Sequence, residues 1–522
     1  MSQKLDNEPI QDLRQWLDAV EALGELVQID EPVDRDEEMS GIGYLLAKQS
    51  PSPAVLFNKA DGFDDSDIDV KMLWNILGPS IRRIAISLEE PADTPTMELI
   101  ERTKNKLKQR IPPQEIDAAD APIYENTVTG DDIDLDKFPI PRHWPLDGGR
   151  YGGTGDAVIT RDPDSGYLNL GTYRMMQQSK NEVGLYLSPG KDARLHITRA
   201  WERGEEVPVA AAWGIDPLFM LVGSQGFAKN VSEYEYAGGI KGQAIPVVRG
   251  KTTDLLIPAN AELVIEGVIR PGSVRSEGPF GEFPGYYGRP EAGAPLVEVT
   301  AVHYRSSPII TNALMADYPS CEQSGFFSII RSAKIWDDLD KLGVPGIEGV
   351  YCHPAAAGGF GMTIISINQQ YAGHAAQCLS LAAQVPGGAY FTKWIIAVDA
   401  DVDPTDTDQV IWAMASRCNP GADIDFLRNT WSTWLDPTQN PPENRPYGSK
   451  ALINACKEHR HLPVFSKSTT LRKEIYDGIA ERWQALGLPG EIPAVRAFEE
   501  ASEVLYHEVG GFEPGKQPGE EE

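Results

Sequence analysis

The chain of 522 residues has few cysteines, a deficit of positive charge and no long apolar run. Its five cysteines are scattered, without a Cys-x-x-Cys pair, which argues against a secreted disulfide framework. The net charge is −30, which argues against nucleic acid or an anionic membrane as partner, because phosphate contacts need a basic surface. No segment reaches membrane-spanning length and the N-terminus has no signal-peptide pattern, so we expect a cytoplasmic protein.

The chain also lacks a Gly-x-Ser-x-Gly elbow and any internal repeat, so a serine hydrolase or a solenoid finds no support. Glycine (49 residues) and proline (40 residues) are plentiful, which favours strands and loops over a helical bundle. The length predicts two to four domains.

The N-terminal part, 1–125, has the pattern of a small α/β domain. Apolar residues recur at helical spacing over 10–23, a strand pattern follows at 26–29, and a second helix is predicted over 95–111.

The pattern changes after residue 125. Residues 126–322 contain short β runs separated by Gly/Pro turns, including 167–175 and 309–312, which predicts a barrel or sandwich. Residues 323–450 return to βα alternation, with a buried strand at 393–399 and a helix at 408–417. We predict a last helix over 470–486 and a disordered acidic tail within 451–522.

The stretch from Arg275 to Gly288 holds two acids, Glu277 and Glu282, among glycines and prolines. Such a composition predicts a shaped loop rather than a helix or a central strand. Its four aromatic residues could wall off the acids from water, and burial of that kind raises a carboxyl pKa toward the range useful for proton transfer. A surface turn with solvated glutamates is the alternative.

Four polar residues in the β-rich part could bind a ligand: Asn169, Arg174, His196 and Glu233. Asn, His and Glu together suit a Mn²⁺ or Mg²⁺ ion that also holds a phosphate. They are far apart in sequence, and a single histidine is more often structural. Asn169 and Arg174, five apart in a strand, should face opposite sides unless a bulge intervenes.

Two further features near 393–403 are ambiguous. Lys393 precedes an apolar strand, where it could meet a phosphate or extend to water. Asp399, Asp401 and Asp403 follow the strand and could hold a cation, although loop and helix capping is the preferred interpretation.

Taken in order, these motifs resemble the UbiD family of reversible decarboxylases, which use prenylated FMN. The resemblance covers nearly the whole chain and includes Asn169-Leu-Gly-Thr-Tyr-Arg174. Its most specific parts are Glu233-Tyr-Glu-Tyr-Ala-Gly-Gly239, Glu282-Phe-Pro-Gly-Tyr-Tyr-Gly288 and Val398-Asp-Ala-Asp-Val-Asp-Pro404. The implied fold is mixed α/β: a central split β-barrel that binds the flavin, between an N-terminal α/β domain and a C-terminal α/β domain that mediates assembly.

The resemblance also implies roles for individual residues. Arg174, Glu277 and Glu282 fall on the catalytic network, with Glu282 as the proton donor. Asn169, His196 and Glu233 fall on ligands of a Mn²⁺ ion that binds the cofactor phosphate, with K⁺ nearby. Cofactor contacts are expected from the following residues: Asn169, Thr172, Tyr173, Arg174, Leu195, His196, Glu233 and Lys393. Leu195 departs from the glutamine found in some relatives.

The implied reaction is decarboxylation through a covalent adduct with prenylated FMN. The substrate is an aromatic or other α,β-unsaturated carboxylic acid, the product includes CO₂, and a separate flavin prenyltransferase supplies the cofactor. Relatives form homodimers or homohexamers. The alternatives are decarboxylation of an aromatic acyl-CoA that carries a ring carboxylate, an FMN reductase, and a silent scaffold subunit of a carboxylase complex.

Overall fold

The computed structural model describes residues 9–63, 66–439, 447–462, 465–466, 469–493 and 495. The predicted disordered tail lies outside these ranges. Within them, no helix is both long and apolar enough to cross a membrane.

Helices occur throughout the described residues, and the predictions for 10–23, 95–111, 408–417 and 470–486 each coincide with a helix, although most of these helices are shorter than predicted. The helices are α1 (Leu13–Ala22), α2 (Glu38–Leu46), α3 (Ile81–Ser87), α4 (Thr96–Lys106), α5 (Asp192–Glu202), α6 (Leu218–Ser224), α7 (Glu233–Lys241), α8 (Glu322–Lys341), α9 (His374–Ala382), α10 (Pro386–Ala389), α11 (Thr407–Arg417) and α12 (Lys473–Ala480).

Strands are concentrated between residues 126 and 312. In chain order the strands are β1 (Leu26–Ile29), β2 (Ala54–Phe57), β3 (Lys71–Trp74), β4 (Gln114–Glu115), β5 (Asn126–Thr129), β6 (Asp156–Arg161), β7 (Leu168–Gly171), β8 (Met175–Gln177), β9 (Glu182–Leu185), β10 (Val207–Trp213), β11 (Pro246–Arg249), β12 (Leu256–Pro258), β13 (Leu263–Glu277), β14 (Phe280–Gly281), β15 (Tyr287–Gly288), β16 (Glu291–Tyr304), β17 (Ile309–Asn312), β18 (Ile347–Cys352), β19 (Met362–Ile367), β20 (Trp394–Asp399), β21 (Ile424–Thr430) and β22 (Gly448–Ala455).

The N-terminal sheet has the order β1-β2-β3-β17. Its last strand, β17, pairs in parallel with β3 although more than 230 residues separate them, with Ile309 opposite Lys71. The β run at 309–312 was predicted among the strands of the barrel, and the structure corrects this: it completes the first sheet.

The central sheet has the order β7-β6-β10-β13-β16-β9-β8, with β5 added beside β16, and it curls into a half-barrel. Strand β6 shows why both faces are apolar. Because successive side chains point to opposite faces, Ala157 and Ile159 join one hydrophobic core while Val158 joins the other. The fold is therefore mixed α/β with a central split β-barrel.

The C-terminal sheet has the order β18-β19-β20-β22-β21, and its three inner strands are parallel. The acidic loop after β20 performs structural roles. Asp406 accepts hydrogen bonds from the first backbone N–H groups of α11, and Asp401 forms ion pairs with Arg417 and Lys457. These contacts favour the capping interpretation of this loop.

Candidate functional site

A cavity of about 1100 Å³ opens where the half-barrel meets the C-terminal part of the chain. Its walls come from the β7–β8 connection, the N-terminal ends of α5 and α7, the hairpin after β13, and aromatic residues that include Phe360 and Tyr390. Six of the predicted site residues line it: Asn169, Thr172, Tyr173, Arg174, Glu233 and Glu282.

The strand predicted over 167–175 is interrupted. Strand β7 ends at Gly171 and β8 begins at Met175, so residues 172–174 form a break between two strands. This break is an irregularity of the kind that the alternation argument allowed for, because Asn169 and Arg174 are not in one continuous strand. Both side chains line the same cavity.

Arg174 holds both acids of the hairpin. Its Nε and Nη2 donate to the two oxygens of Glu277 at 2.8 and 2.7 Å, and its Nη1 donates to Oε1 of Glu282 at 2.6 Å. All three residues are buried, and Glu277 is completely inaccessible. The bidentate pair with Glu277 fixes the orientation of the Arg174 guanidinium. The guanidinium in turn positions the Glu282 carboxyl group, so this arrangement is held by protein side chains alone.

The hairpin is more regular than predicted. Glu277 is the last residue of the long strand β13, and β14 pairs with β15 to form a short ribbon that carries Glu282. Two glycines leave space for the guanidinium: a Cβ on Gly278 would lie 3.3 Å from Nη2 of Arg174, and one on Gly288 would lie 3.2 Å from Nη1. Glycine is therefore favoured at positions 278 and 288, because a side chain there would crowd the Arg174 guanidinium.

Two of the four hairpin aromatics shield the acids. Phe280 and Phe283 are buried, whereas Tyr286 and Tyr287 are exposed. Burial raises the pKa of Glu282, although the charge of Arg174 opposes the shift. Burial alone would lower the pKa of Arg174, but Glu282 and Glu277 raise it overall, so the guanidinium stays charged.

Tyr186 lines this end of the cavity and Tyr151 lies behind Glu277, and sequence reasoning missed both as site residues. The Tyr151 hydroxyl donates to Oε1 of Glu277 at 2.8 Å, and the Arg174 guanidinium lies 3.9 Å from the centre of the Tyr186 ring. The only sequence signal for Tyr151 was its place in the glycine-rich turn at 147–152.

The other end of the cavity contains Glu233 and Asn169. Glu233 begins α7, where its Oε2 accepts the backbone N–H of Leu170 at 2.7 Å. Burial raises its pKa to about 8. The Nδ2 of buried Asn169 has no hydrogen-bond partner within the described part of the chain.

His196 and Leu195 do not line this cavity. They lie on α5, beside a separate pocket of about 720 Å³. The Nδ1 of His196 is 3.0 Å from the Thr160 hydroxyl, and burial lowers the pKa of the ring. The two pockets share Asp192, and the His196 ring packs against Tyr167, whose hydroxyl lies 3.5 Å from Oε1 of Glu233.

Lys393 also lies outside the cavity lining, where its Nζ binds Asp436 at 2.8 Å. The cavity lining contains another lysine, Lys191, which sequence reasoning missed together with Asp192. The only sequence signal was Gly190 directly before them, and the structure shows that a helix begins at Asp192. A turn that leads into a helix N-terminus is a common anion site. Burial lowers the pKa of Lys191 to about 8.

Three family models match successive parts of the chain. Residues 17–103 match the UbiD N-terminal domain, residues 114–318 the UbiD Rift-related domain, and residues 324–455 the UbiD C-terminal domain, each described as part of a 3-octaprenyl-4-hydroxybenzoate carboxy-lyase.

Within residues 9–63, 66–439 and the later described segments, no three His, Cys, Asp or Glu side chains form a cluster that could hold a metal ion.

Relatives are similar over most of their length. Phenolic acid decarboxylase of Bacillus subtilis (strain 168) is 32% identical over 83% of this chain and 90% of its own, and that of Escherichia coli O157:H7 is 32% identical over 85% and 95%. The closed form of Sedimentibacter hydroxybenzoicus vanillic acid decarboxylase superposes with a TM-score of 0.81 at 28% identity, covering 92% and 99% of the two chains. An evolved dimeric form of the UbiD-class enzyme HmfF from Pelotomaculum thermopropionicum, in complex with prFMN, gives 0.75 at 26% identity, covering 88% and 97%.

Proposed function

The chain belongs to the UbiD family of carboxy-lyases, and on that premise we propose that it reversibly decarboxylates a phenolic or other aromatic acid with prenylated FMN. The observation that carries the proposal is the buried Arg174–Glu277–Glu282 network, in which Glu282 faces the cavity. The names of the relatives support an aromatic acid as substrate, and the HmfF complex supports the cofactor.

In the proposed reaction the bond between the ring carbon and the carboxylate breaks, CO₂ leaves, and one proton takes its place. When bound, prenylated FMN supplies the acceptor for the electron pair that CO₂ leaves behind. Glu282 delivers the proton, for which its raised pKa is suited. Arg174 orients the Glu282 carboxyl group, and Glu277 fixes Arg174 from behind.

The cavity suits an aromatic acid and a flavin. Phe283, Phe360 and Tyr390 give it apolar walls that exclude water and can pack against rings. Asn169, Thr172 and Tyr173 are proposed cofactor contacts. A divalent cation fits beside Glu233, because this buried carboxylate forms no ion pair within the described residues.

We also propose that Leu195, His196 and Lys393 contact the cofactor and that Mn²⁺ and K⁺ are bound. The proposed assembly is a homodimer or homohexamer, and a flavin prenyltransferase supplies the cofactor. The proposed domain boundaries lie at residues 125, 322 and 450.

The test is turnover by protein co-expressed with a flavin prenyltransferase. Vanillic acid and a panel of other aromatic acids are incubated with it in D₂O, and the products are identified by chromatography and mass spectrometry. We expect loss of CO₂ and one deuterium at the carbon that carried the carboxylate. Protein with verified prenylated FMN that converts no aromatic acid would contradict the proposal.

A further inference from the structure

Open space borders the proposed proton donor on more than one side. Glu282 lines the cavity described above and also a second pocket of about 900 Å³. Gly281 and Tyr287, which pair across the β14–β15 ribbon, line that second pocket as well. A segment that borders two pockets has fewer packing partners than one in a closed core, so the position of Glu282 depends on how the ribbon itself is held.

A turn at residues 144–148 contacts the ribbon from outside the cavity lining. Oδ1 of Asp147 accepts the backbone N–H of Gly281 at 3.0 Å, which joins residues 134 positions apart in the chain. Oδ2 of the same carboxyl group accepts the backbone N–H of Trp144 at 2.9 Å, which closes the turn. Asp147 is buried, so water competes little for these two hydrogen bonds. One carboxyl group therefore joins the turn to the residue directly before Glu282.

Two further hydrogen bonds connect the same turn and ribbon. The backbone N–H of Gly148 donates to the carbonyl oxygen of Pro279 at 2.8 Å. The backbone N–H of Leu146 donates to the Tyr287 hydroxyl at 3.2 Å. The turn thus contacts the main chain that leads into β14 and a side chain of β15.

The turn and the ribbon are also in direct steric contact. A Cβ on Gly148 would lie 2.1 Å from the carbonyl oxygen of Gly278. A Cβ on Gly281 would lie 2.2 Å from Cδ1 of Trp144. Side-chain atoms do not approach other atoms this closely, so only glycine fits at positions 148 and 281 without a shift of the main chain. This close contact leaves the ribbon little freedom to move relative to the turn.

We propose that this turn, acting through Asp147, positions Glu282 for proton transfer. Asp147 holds the main chain before Glu282, whereas Arg174 holds the carboxyl group. The inference deepens the proposed function and rests on it, because such positioning affects the rate only if Glu282 delivers the proton. A displacement of about 1 Å can lower a rate about 100-fold, so a loosely held ribbon would slow the reaction.

Asp147 also has an ordinary structural explanation. Its bond to the N–H of Trp144 is local, and aspartate often stabilises its own turn in this way. That role predicts a lower melting temperature and faster hydrogen exchange in the turn, without a change in the ribbon. The bond to Gly281 predicts faster exchange in the ribbon as well, so the two explanations are separable.

The first test is hydrogen–deuterium exchange of the cofactor-free protein, measured by mass spectrometry on peptides that cover residues 280–288. Asp147→Ala removes both acceptors, and Tyr287→Phe removes only the hydroxyl that accepts from Leu146. Asp406→Ala is the matched control, because Asp406 also accepts two backbone N–H groups, at the start of α11. We expect exchange in these peptides to be at least about tenfold faster in Asp147→Ala, about twofold faster in Tyr287→Phe and unchanged in Asp406→Ala.

The second test is steady-state kinetics of the same variants loaded with prenylated FMN, with the rate expressed per bound cofactor. In Asp147→Ala we expect kcat to fall about tenfold or more. KM should stay within about twofold of wild type, because Asp147 does not line the cavity. A role in stability alone would lower the melting temperature without this selective loss of kcat, and Asp406→Ala should retain wild-type kcat.

Wild-type exchange in residues 280–288 of Asp147→Ala, or wild-type kcat in that variant, would overturn the inference. If Asp147→Ala does not fold, Tyr287→Phe carries the test, and wild-type exchange in its ribbon would overturn the inference equally. Failure of the proposed function is distinguishable, because wild type would then leave aromatic acids unconverted while the exchange difference in the cofactor-free protein persists.

Discussion

At one end of the cavity a single guanidinium binds two buried carboxyl groups, whereas at the other end two carboxyl groups line the cavity without an ion pair. Glu277 and Glu282 share Arg174, with distances of 2.6 to 2.8 Å. Glu233 and Asp192 form no such pair among the described residues. The first end is organised by the protein alone and suits proton transfer, which demands fixed geometry. The second suits a ligand that brings positive charge.

The largest expected effect is at the paired end. Glu282→Gln removes the proposed proton donor while retaining size and the contact with Arg174, so turnover should fall by about 10³-fold or more. The rate is measured per bound cofactor, because cofactor binding should be intact. Glu298→Gln, at an exposed position of β16, is the matched control. Near-normal rates in the Glu282 variant would refute its role.

The rate should also depend on pH through Glu282. Burial raises the pKa of this acid, and only its protonated form can donate. The rate should therefore be retained below the raised pKa and fall up to tenfold per pH unit above it, at a higher pH than an ordinary glutamic acid would give. A pH profile of kcat checks this expectation. A rate that still rises at pH 9 would speak against Glu282 as the donor.

Matched substitutions at the two ends of the cavity should differ in their effect on the melting temperature of the protein. Glu277→Gln leaves the buried Arg174 with one carboxylate, and breaking a buried pair costs about 3 kcal/mol or more. Glu233→Gln replaces a carboxyl group that has no ion pair among the described residues and keeps an acceptor for the Leu170 N–H group. Metal-free melting temperatures should fall in the first variant and stay near wild type in the second. Equal losses would show that the two ends do not differ in charge compensation.

The smallest expected effect concerns the two tyrosines. Tyr151→Phe removes a 2.8 Å hydrogen bond to Glu277, worth about 1 kcal/mol, and should lower kcat roughly fivefold. Tyr167→Phe removes a longer, 3.5 Å contact with Glu233 and should change kcat less. Steady-state kinetics on both variants would test the ranking, and the reverse order would contradict it.

Local pattern was sufficient for much of the fold. The strand at 26–29 and the helix predicted over 408–417, which is found at Thr407–Arg417, follow from local sequence pattern. The pairing of β17 with β3 did not follow, because a four-residue apolar strand carries no information about which distant edge it joins.

The site was also predictable only in part, because local sequence does not show which distant residues meet. The composition around Glu277 and Glu282 pointed to shielded acids, but their partner Arg174 emerged only through the family resemblance. The alternation argument could not locate the strand break at residues 172–174, because such a break leaves no mark in an alternating pattern. Asp192 was missed because the sequence analysis placed no helix start there, whereas the structure begins α5 at Asp192 on the wall of the cavity.

The central claim is that this cavity works with prenylated FMN, and the most direct test is the identity of the small molecule in the protein. Protein co-expressed with a flavin prenyltransferase is denatured, and the released molecule is identified by mass and absorbance while Mn²⁺ is quantified. The account predicts prenylated FMN together with stoichiometric Mn²⁺. Plain FMN accompanied by NAD(P)H oxidation, or folded protein with neither flavin nor metal, would contradict it.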